Sequence, residues 1–456
     1  MEEGENLSEA ITKPNFYGPV PYTKITSERY ISTEYMLKER DKIWSKTWLV
    51  AGPAQDVEEP GDFFVFELEP ESIIVSRSEA GEIGAFFNVC QHRGAKLVSS
   101  GLGCVEKWTC PYHGWSFNND GSLSHVPDED RFSRGIPKEH LSLKSLRVEI
   151  WAGMVWVCMD ETAPSLQEYL GPVIEMVEPF RPQDMRLVED QTCLLECNYK
   201  AVFDNFCELY HVEHIHPQHE LIFDCPTSTA EFFENGHTRV LIDGFTVNSR
   251  LPIPDEVPPT QWQQLETLGM NRDDYRGRVL DVRRDIQKKK RELGPSLGYN
   301  YDLLSDEQLS DIVQYNIFPN AILVLQPEEF WVLRSRPRGD DPSKCYWDKF
   351  ALRMFPDTKL RESSSVEFPA LQNRANIGFS VDQGEDGTLR PEHDEFDQEA
   401  IIAGEKTMTI TLDQDIHLIR DVQQGMKSRG FEEAWLNDDE ARVQHYHNAI
   451  NTHMNQ

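Results

Sequence analysis

From Trp48 to Asp160 the chain is a series of short apolar runs. DFFVFELE (62–69), SIIVSRS (72–78), IGAFFNVC (83–90) and MVWVCMD (154–160) are rich in Val, Ile and Phe, and Gly, Pro, Glu and Asp separate them. Such runs predict short strands joined by turns, and so a small all-β domain over residues 47–165. Residues 1–46 read as an arm and a short helix, ISTEYMLKERDKIWSKTW, packing on the domain formed by 166–456. In that larger domain the period lengthens. Phe203, Phe206 and Tyr210 mark an apolar stripe that predicts a helix over 202–215. A second helix is predicted over 409–429, TITLDQDIHLIRDVQQGMKSR, with Leu412, Asp415, Ile419, Val422 and Met426 on one stripe. Between them YNIFPNAILVLQ, EFWVLRSRP and CYWDKFALRMF read as strands of an antiparallel sheet packed on helices, and DDEARVQHYHNAINTHM as a final amphipathic helix. The fold class is α+β.

A chain of 456 residues buries a large core and suits two domains. Its formal charge of −33 repels phosphate backbones and argues against nucleic-acid binding. One local exception, Arg283, Arg284, Lys288, Lys289, Lys290 and Arg291, reads as a solvated helix face or as a docking patch for an acidic redox partner. The acidic start MEEGENLSEAITKPNF lacks the apolar core of a secretion signal. No apolar run approaches the roughly 18 residues of a membrane span. Nine cysteines, an odd number, suit reduced thiols or metal ligands in a cytoplasm better than a disulfide framework. There is no GxGxxG and no P-loop, so electrons must come from elsewhere than a flavin or nicotinamide held by this chain.

Two stretches carry candidate chemistry. Tyr199–His219 holds His211, His214, His216 and His219 with Asp204, Glu208 and Glu213. Two imidazoles and a carboxylate on one face of a metal are what a non-haem Fe(II) oxygenase needs, and Glu208-x2-His211-x4-His216 offers them. Glu208 and His211 share a helix face. His216 lies about 140° further round at roughly 3.6 residues per turn, so it joins them only if the helix ends, which Pro217 enforces. The bland alternative is a solvated polar helix end. The second stretch is Cys90-x-His92 and Cys110-x2-His113, with Gly94, Pro111 and Gly114 allowing tight turns. A closed zinc site and a Rieske [2Fe–2S] centre both use Cys2His2. One Cys and one His per pair, spaced CxH and CxxH, differs from common zinc-finger spacing. Cys104, between the pairs, reads as a packed thiol. Asp415 falls on the apolar stripe of its helix, where an unpaired carboxylate is costly; a metal compensates, as would a salt bridge at the rim. Asp413 and Asp421 suit a cap and solvent.

The flanks CQHRGAKL and CPYHGWSF are those of Rieske proteins. Together with Asn198-Tyr199-Lys200 and DNFCELYH…HP they make the chain resemble the large (α) subunit of a Rieske non-haem iron ring-hydroxylating oxygenase over nearly its whole length. The resemblance implies an all-β Rieske domain followed by a helix-grip (START-like) catalytic domain with an antiparallel sheet. It implies a [2Fe–2S] cluster on Cys90, His92, Cys110 and His113, and a mononuclear Fe(II) on His211, His216 and Asp415. The acid at 415 is followed by Gln423 and Gly425 as in the family. Glu208 matches the carboxylate that links the iron to the Rieske centre of a neighbouring subunit; many members have Asp there, and Glu occurs in branches that include those acting on quaternary amines. Asn205 suits a hydrogen bond behind the ligands, whereas His214, His219, His445 and His447 fall outside the motifs. The implied function is a terminal oxygenase component. It would use O2, and electrons from NAD(P)H through a separate reductase or ferredoxin, to hydroxylate (mono- or dioxygenate) an aromatic or polycyclic hydrophobic substrate. The alternative is demethylation of an N-methyl or O-methyl substrate such as a quaternary amine. A cytoplasmic homotrimer or a multiple of it is expected, with a β subunit left open. The 199 residues from His216 to Asp415 are long for the family, and 260–293 (polar, helical) and 382–397 (a loop) look inserted, as a substrate lid or as a contact. Candidate pocket residues are Phe203, Asn205, Phe206, Leu209, Leu221 to Phe223 and Ile322 to Leu325.

Overall fold

The computed structural model describes residues 20–99, 101–355 and 390–455. The chain forms two compact units: Thr33–Gly171 with Arg336–Asp341, and the remainder. The division at Ser32 falls inside the 1–46 segment, so the helices Thr33–Glu39 and Arg40–Trp44 group with the β-rich unit.

That unit is built from ten strands: β1 Leu49–Pro53, β2 Asp62–Leu68, β3 Glu71–Arg77, β4 Ile83–Phe87, β5 Leu102–Cys104, β6 Lys107–Thr109, β7 Ser116–Asn118, β8 Leu123–His125, β9 Ser145–Trp151 and β10 Met154–Cys158. Seven form one sheet in the order β1-β10-β9-β4-β3-β2-β5, and β6-β7-β8 form a second. The four apolar runs expected as strands are β2, β3, β4 and β10. Phe63, Ile74, Phe86, Trp108, Trp115 and Phe117 bury one continuous core between the sheets. Two loops leave this core, one after β4 and one between β6 and β7.

The larger unit holds an eight-stranded sheet. Its strands are β11 Arg186–Leu195, β12 Phe223–Phe232, β13 Thr238–Gly244, β14 Ile312–Ile317, β15 Ala321–Gln326, β16 Glu329–Pro337, β17 Cys345–Arg353 and β18 Asp394–Asp397. The order is β12-β13-β14-β15-β16-β17-β11-β18, antiparallel except where β18 runs parallel to β11. The helices Tyr199–Asn205, Ile410–Met426 and Ala441–Met454 pack on it: Phe203 meets Tyr446 at 4.4 Å between ring centroids, and Phe206 meets Trp347 of β17 edge-on at 5.6 Å.

One expectation changes, and two gain detail. Of the loop expected over 382–397, residues 382–389 lie outside those described, while Asp394–Asp397 is a strand whose backbone pairs with Gln191–Leu194. Only Phe396 is buried there, so the apolar pattern carries almost no strand signal. The polar segment 260–293 is helical as expected, Pro259–Thr267 and Asp281–Leu297, but encloses its own core of Leu265, Val279, Val282 and Ile286. Its basic run is matched by local acids: Arg283 with Asp311, Arg284 with Asp281, Lys290 with Glu328 and Arg291 with Asp306. Arg284 and Lys288 fit the solvated-face reading, whereas Lys290 is buried against Glu328 and Arg283 is largely buried against Asp311. Among the described residues no helix is long and apolar enough to cross a membrane.

Candidate functional site

In the β-rich unit the two predicted ligand loops have the same backbone closure. Gly94 N–H donates to Cys90 C=O and Gly114 N–H to Cys110 C=O, both at 3.0 Å; Cys90 N–H donates to Ala95 C=O and Cys110 N–H to Trp115 C=O. Both glycines sit at φ +74°, which a side chain would strain. Each loop therefore holds one buried Cys and one His at its tip. His92 and His113 meet with ring centroids 4.6 Å apart, and Trp115 stacks on His92 at 4.9 Å and 4°. Their Nδ1 atoms are buried and have no hydrogen-bond partner. Burial, then His113 and Arg93, lowers the His92 pKa, which keeps the imidazole neutral and a lone pair free. Burial raises the Cys90 thiol, and neighbouring Cys110 adds to it, so two adjacent thiolates need a cation between them. Two soft sulfurs and two free imidazole nitrogens on facing loops fit a [2Fe–2S] group with Cys on one iron and His on the other. Cys104, expected as a packed thiol, is instead exposed at the end of the short edge strand β5.

In the larger unit the predicted 202–215 helix is broken. It ends at Asn205, and Val212–Ile215 forms a separate turn. The cause is at Phe206. Its carbonyl accepts from Gln314 Nε2 at 2.6 Å, Asn316 Nδ2 at 3.1 Å and Arg442 Nη1 at 3.3 Å instead of from a main-chain N–H further along. Arg442 Nη1 also donates to Asn316 Oδ1 at 3.1 Å. The apolar stripe therefore stops early, and Tyr210 is exposed. Glu208 and His211 meet through direct bonds and not through a shared helix face: His211 N–H donates to Glu208 Oε2 at 3.0 Å, and His211 Nδ1 contacts Glu208 Oε1.

His211, His216 and Asp415 converge, with one ligand atom from each inside 4.8 Å of the others. Asp415 Oδ1 lies 3.1 Å from His216 Nε2 and 3.7 Å from His211 Nε2. His216 Nδ1 faces Gln414 Oε1 at 2.7 Å. With the protons on Nδ1, both Nε2 atoms turn lone pairs toward a carboxylate oxygen that is itself buried without a hydrogen-bond partner. The 3.1 Å approach is then acceptor to acceptor, which is costly in a buried site unless a cation fills it. This donor set suits a facial iron site. Burial pulls the His211 pKa down, but Glu208 and Asp415 outweigh it and hold it above its ordinary value. His219 donates to or accepts from Thr411 Oγ1 at 2.8 Å, and burial, then His216 and His211, pushes its pKa down to about 4. His214 is exposed. His447 is buried against Asp204, and His445 bonds to Phe233 C=O.

Asp415 lies on the Ile410–Met426 helix as expected, with Leu412, Ile416, Ile419 and Gln423 on its buried face. Gln423 accepts from Asn198 N–H at 2.9 Å. Beside Asp415 is a small cavity walled by Leu195, Val202, Asn205, Phe206, Trp347, Ile416 and Ile419. Of the expected pocket residues, Asn205 and Phe206 are there. Phe203 packs on Tyr446, Leu209 faces a separate cleft of about 620 Å³, Leu221 packs on the helical segment's core, and Ile322, Leu323 and Leu325 are sheet core. Sequence reasoning missed Gln414, Gln314, Asn316 and Arg442. Only Arg442 left a signal, a cation on the apolar stripe of the last helix with Val443, Tyr446 and Ile450.

Comparison with known proteins gives two family matches: the ring hydroxylating alpha subunit (catalytic domain) over residues 182–456 and the Rieske [2Fe-2S] domain over 47–147. The large oxygenase component of the naphthalene 1,2-dioxygenase system of Pseudomonas putida is 35% identical over 189 residues, 40% of this chain and 42% of that one. The carnitine monooxygenase oxygenase subunit of Acinetobacter pittii is 31% identical over 190 residues, 41% of this chain and 51% of that one. The matches thus span about half or less of these relatives' length. Among solved structures, a quaternary ammonium Rieske monooxygenase with L-carnitine has a TM-score of 0.62 at 18% identity, covering 94% of this chain and 95% of that one. Naphthalene 1,2-dioxygenase from Rhodococcus sp. bound to indole has 0.63 at 18%, covering 94% of each. At these identities the structures show a shared fold.

Proposed function

The chain belongs to the ring-hydroxylating alpha-subunit family, and on that premise we propose that it is a terminal oxygenase component acting on an aromatic or polycyclic hydrophobic substrate. Its redox groups are a Rieske [2Fe–2S] cluster and a mononuclear iron. The observation that carries the reading is one chain holding both the paired Cys/His loops and the His211–His216–Asp415 convergence, with an apolar cavity against Asp415.

When bound, the two groups supply stored electrons and O2 activation. The residues do the rest. Cys90, Cys110, His92 and His113 hold the cluster, and Trp115 shields one face of His92. His211, His216 and Asp415 would hold the iron, and the Asp415 carboxylate would offset part of its charge. Glu208 orients His211 and is the group we assign as the bridge to the Rieske histidines of a neighbouring copy, in a trimer or a multiple of it. Leu195, Val202, Phe206 and Ile419 exclude water beside Asp415 and select an apolar substrate, and Asn205 offers the polar contact among them. Reductase or ferredoxin, in a cytoplasm, supplies the electrons from NAD(P)H. A second reading, demethylation of a quaternary amine, is favoured by the aromatic walls of the same cavity, Phe206 and Trp347, since ring faces attract such cations.

The test is a single turnover of reduced, iron-loaded protein under ¹⁸O2 with polycyclics, aromatic acids, methyl ethers and quaternary amines. Two labelled oxygens on a ring establish dioxygenation, one establishes hydroxylation, and loss of a methyl selects the second reading. Asp415→Ala should lose mononuclear iron and keep the Rieske absorption. A colourless wild type with stoichiometric zinc and no acid-labile sulfide would overturn the proposal.

A further inference from the structure

We propose that Gln414, backed by Gln218, is a positioning residue that sets which nitrogen of His216 is free for the metal. This rests on the reading above of His216 as an iron ligand and extends it to a residue outside the ligand motif. Gln414 immediately precedes Asp415, so one stretch of helix supplies both a carboxylate ligand and the partner of an imidazole ligand. Gln414 Oε1 meets His216 Nδ1 at 2.7 Å and also accepts from Gln218 Nε2 at 2.7 Å; Gln414 Nε2 returns a bond to Gln218 Oε1 at 3.3 Å. The two amides thus form a reciprocal pair. In this orientation His216 donates from Nδ1 and presents a bare Nε2 to Asp415.

A reciprocal amide pair has a property that a carboxylate lacks. Inverted as a unit, it keeps its internal bonds and turns an N–H toward His216 Nδ1. His216 would then donate from Nε2 to Asp415 Oδ1, and the acceptor clash would be relieved. The pair therefore serves two states, and a cation selects the one described. The other imidazole has no such freedom, because its partner Glu208 only accepts when ionised. Glu208 fixes the Nδ1 side of His211, and the amide pair sets that of His216.

The experiment measures iron affinity by chelator competition and the EPR signal of the ferrous nitrosyl adduct, in full-length protein with its Rieske absorption intact. Gln414→Leu, which can orient neither tautomer, is expected to bind iron about 10–100-fold more weakly, as loss of such partners typically does. Gln414→Glu, nearly isosteric and acceptor-only, is expected to bind at least as tightly as the wild type, with an altered nitrosyl signal. Gln218→Leu is expected to show a smaller loss than Gln414→Leu. Equal losses in Gln414→Leu and Gln414→Glu would mean a packing role and overturn the inference, as would wild-type affinity and an unchanged signal in Gln414→Leu. If Asp415→Ala abolishes iron binding in the same series, those failures refute the role of Gln414 alone. If the wild type binds no mononuclear iron, the functional reading fails with it.

Discussion

Asn316→Leu tests whether the broken helix is held by the polar cage at Phe206. The substitution keeps the branched shape with somewhat more bulk, and Asn316 lies on β14, which is buried from Val313 to Ile317. It removes the bond from Asn316 Nδ2 to Phe206 C=O and the acceptor that serves Gln314 Nε2 at 2.9 Å and Arg442 Nη1 at 3.1 Å. Two neutral bonds contribute about 1 kcal/mol each and one to a charged donor about 1.5–3. Both orphaned donors keep Phe206 C=O, so no unsatisfied-donor penalty is added and the expected cost is about 3.5–5 kcal/mol. At about 1.5 °C per kcal/mol for a unit of about 310 residues, the larger unit should melt roughly 5–8 °C lower. The segment 206–211 loses one of three anchors, so mononuclear iron should fall while the Rieske absorption stays. Asn316→Asp, which keeps an acceptor for Arg442, should lie between wild type and Leu. Calorimetry and iron analysis on the same samples decide it. An Asn316→Leu protein with unchanged melting and full iron would show that the break is set by local chain preference and not by the cage.

Asp415→Asn in chelator-treated protein should melt at or above the wild type, because an amide N–H replaces the lone acceptor facing His216; a lower melting temperature would refute the acceptor-clash argument. Gly244→Ala should be strongly destabilising, by more than about 2 kcal/mol, since its Cβ would sit 2.2 Å from the Ser310 carbonyl; chemical denaturation reads it. Trp115→Ala should cost the β-rich unit about 3–5 kcal/mol and lower the temperature at which Rieske absorption is lost, with mononuclear iron retained. Gln423→Leu strands the buried Asn198 N–H, at about 1–3 kcal/mol, and should lower the melting of the larger unit.

Patterns with a strong local cause were legible. β2, β3, β4, β10 and β14–β17 announce themselves by dense Val, Ile and Phe between turn residues, and the spacing of Cys90, His92, Cys110 and His113 pointed to the paired loops. The convergence of His211, His216 and Asp415 was also readable, because a carboxylate on an apolar stripe demands a partner. What was not legible depends on residues far apart in the chain. The 202–215 pattern reads as a helix, and only Gln314, Asn316 and Arg442, more than a hundred residues downstream, break it. The stripe from Leu412 was extended to Val422, yet Gln423 takes the buried place and Val422 is exposed, since a straight helix advances by 3.6 residues and not 3.5. β18 gains its place from main-chain pairing with β11, which no side-chain pattern records.

The order of these residues along the chain sets a timetable. During synthesis the Rieske loops are complete by Trp115, but Asp415 follows His216 by 199 positions, and Arg442 comes later still. At about 5–20 residues per second, His211 and His216 emerge roughly 10–40 s before Asp415. Throughout that interval the nascent chain offers two histidines without the carboxylate, a set on which copper and zinc outcompete iron. Coupling the shaping of the 206–211 segment to the Ala441–Met454 helix, through Arg442 and Asn316, delays the final spacing of the pair until Arg442 has been made.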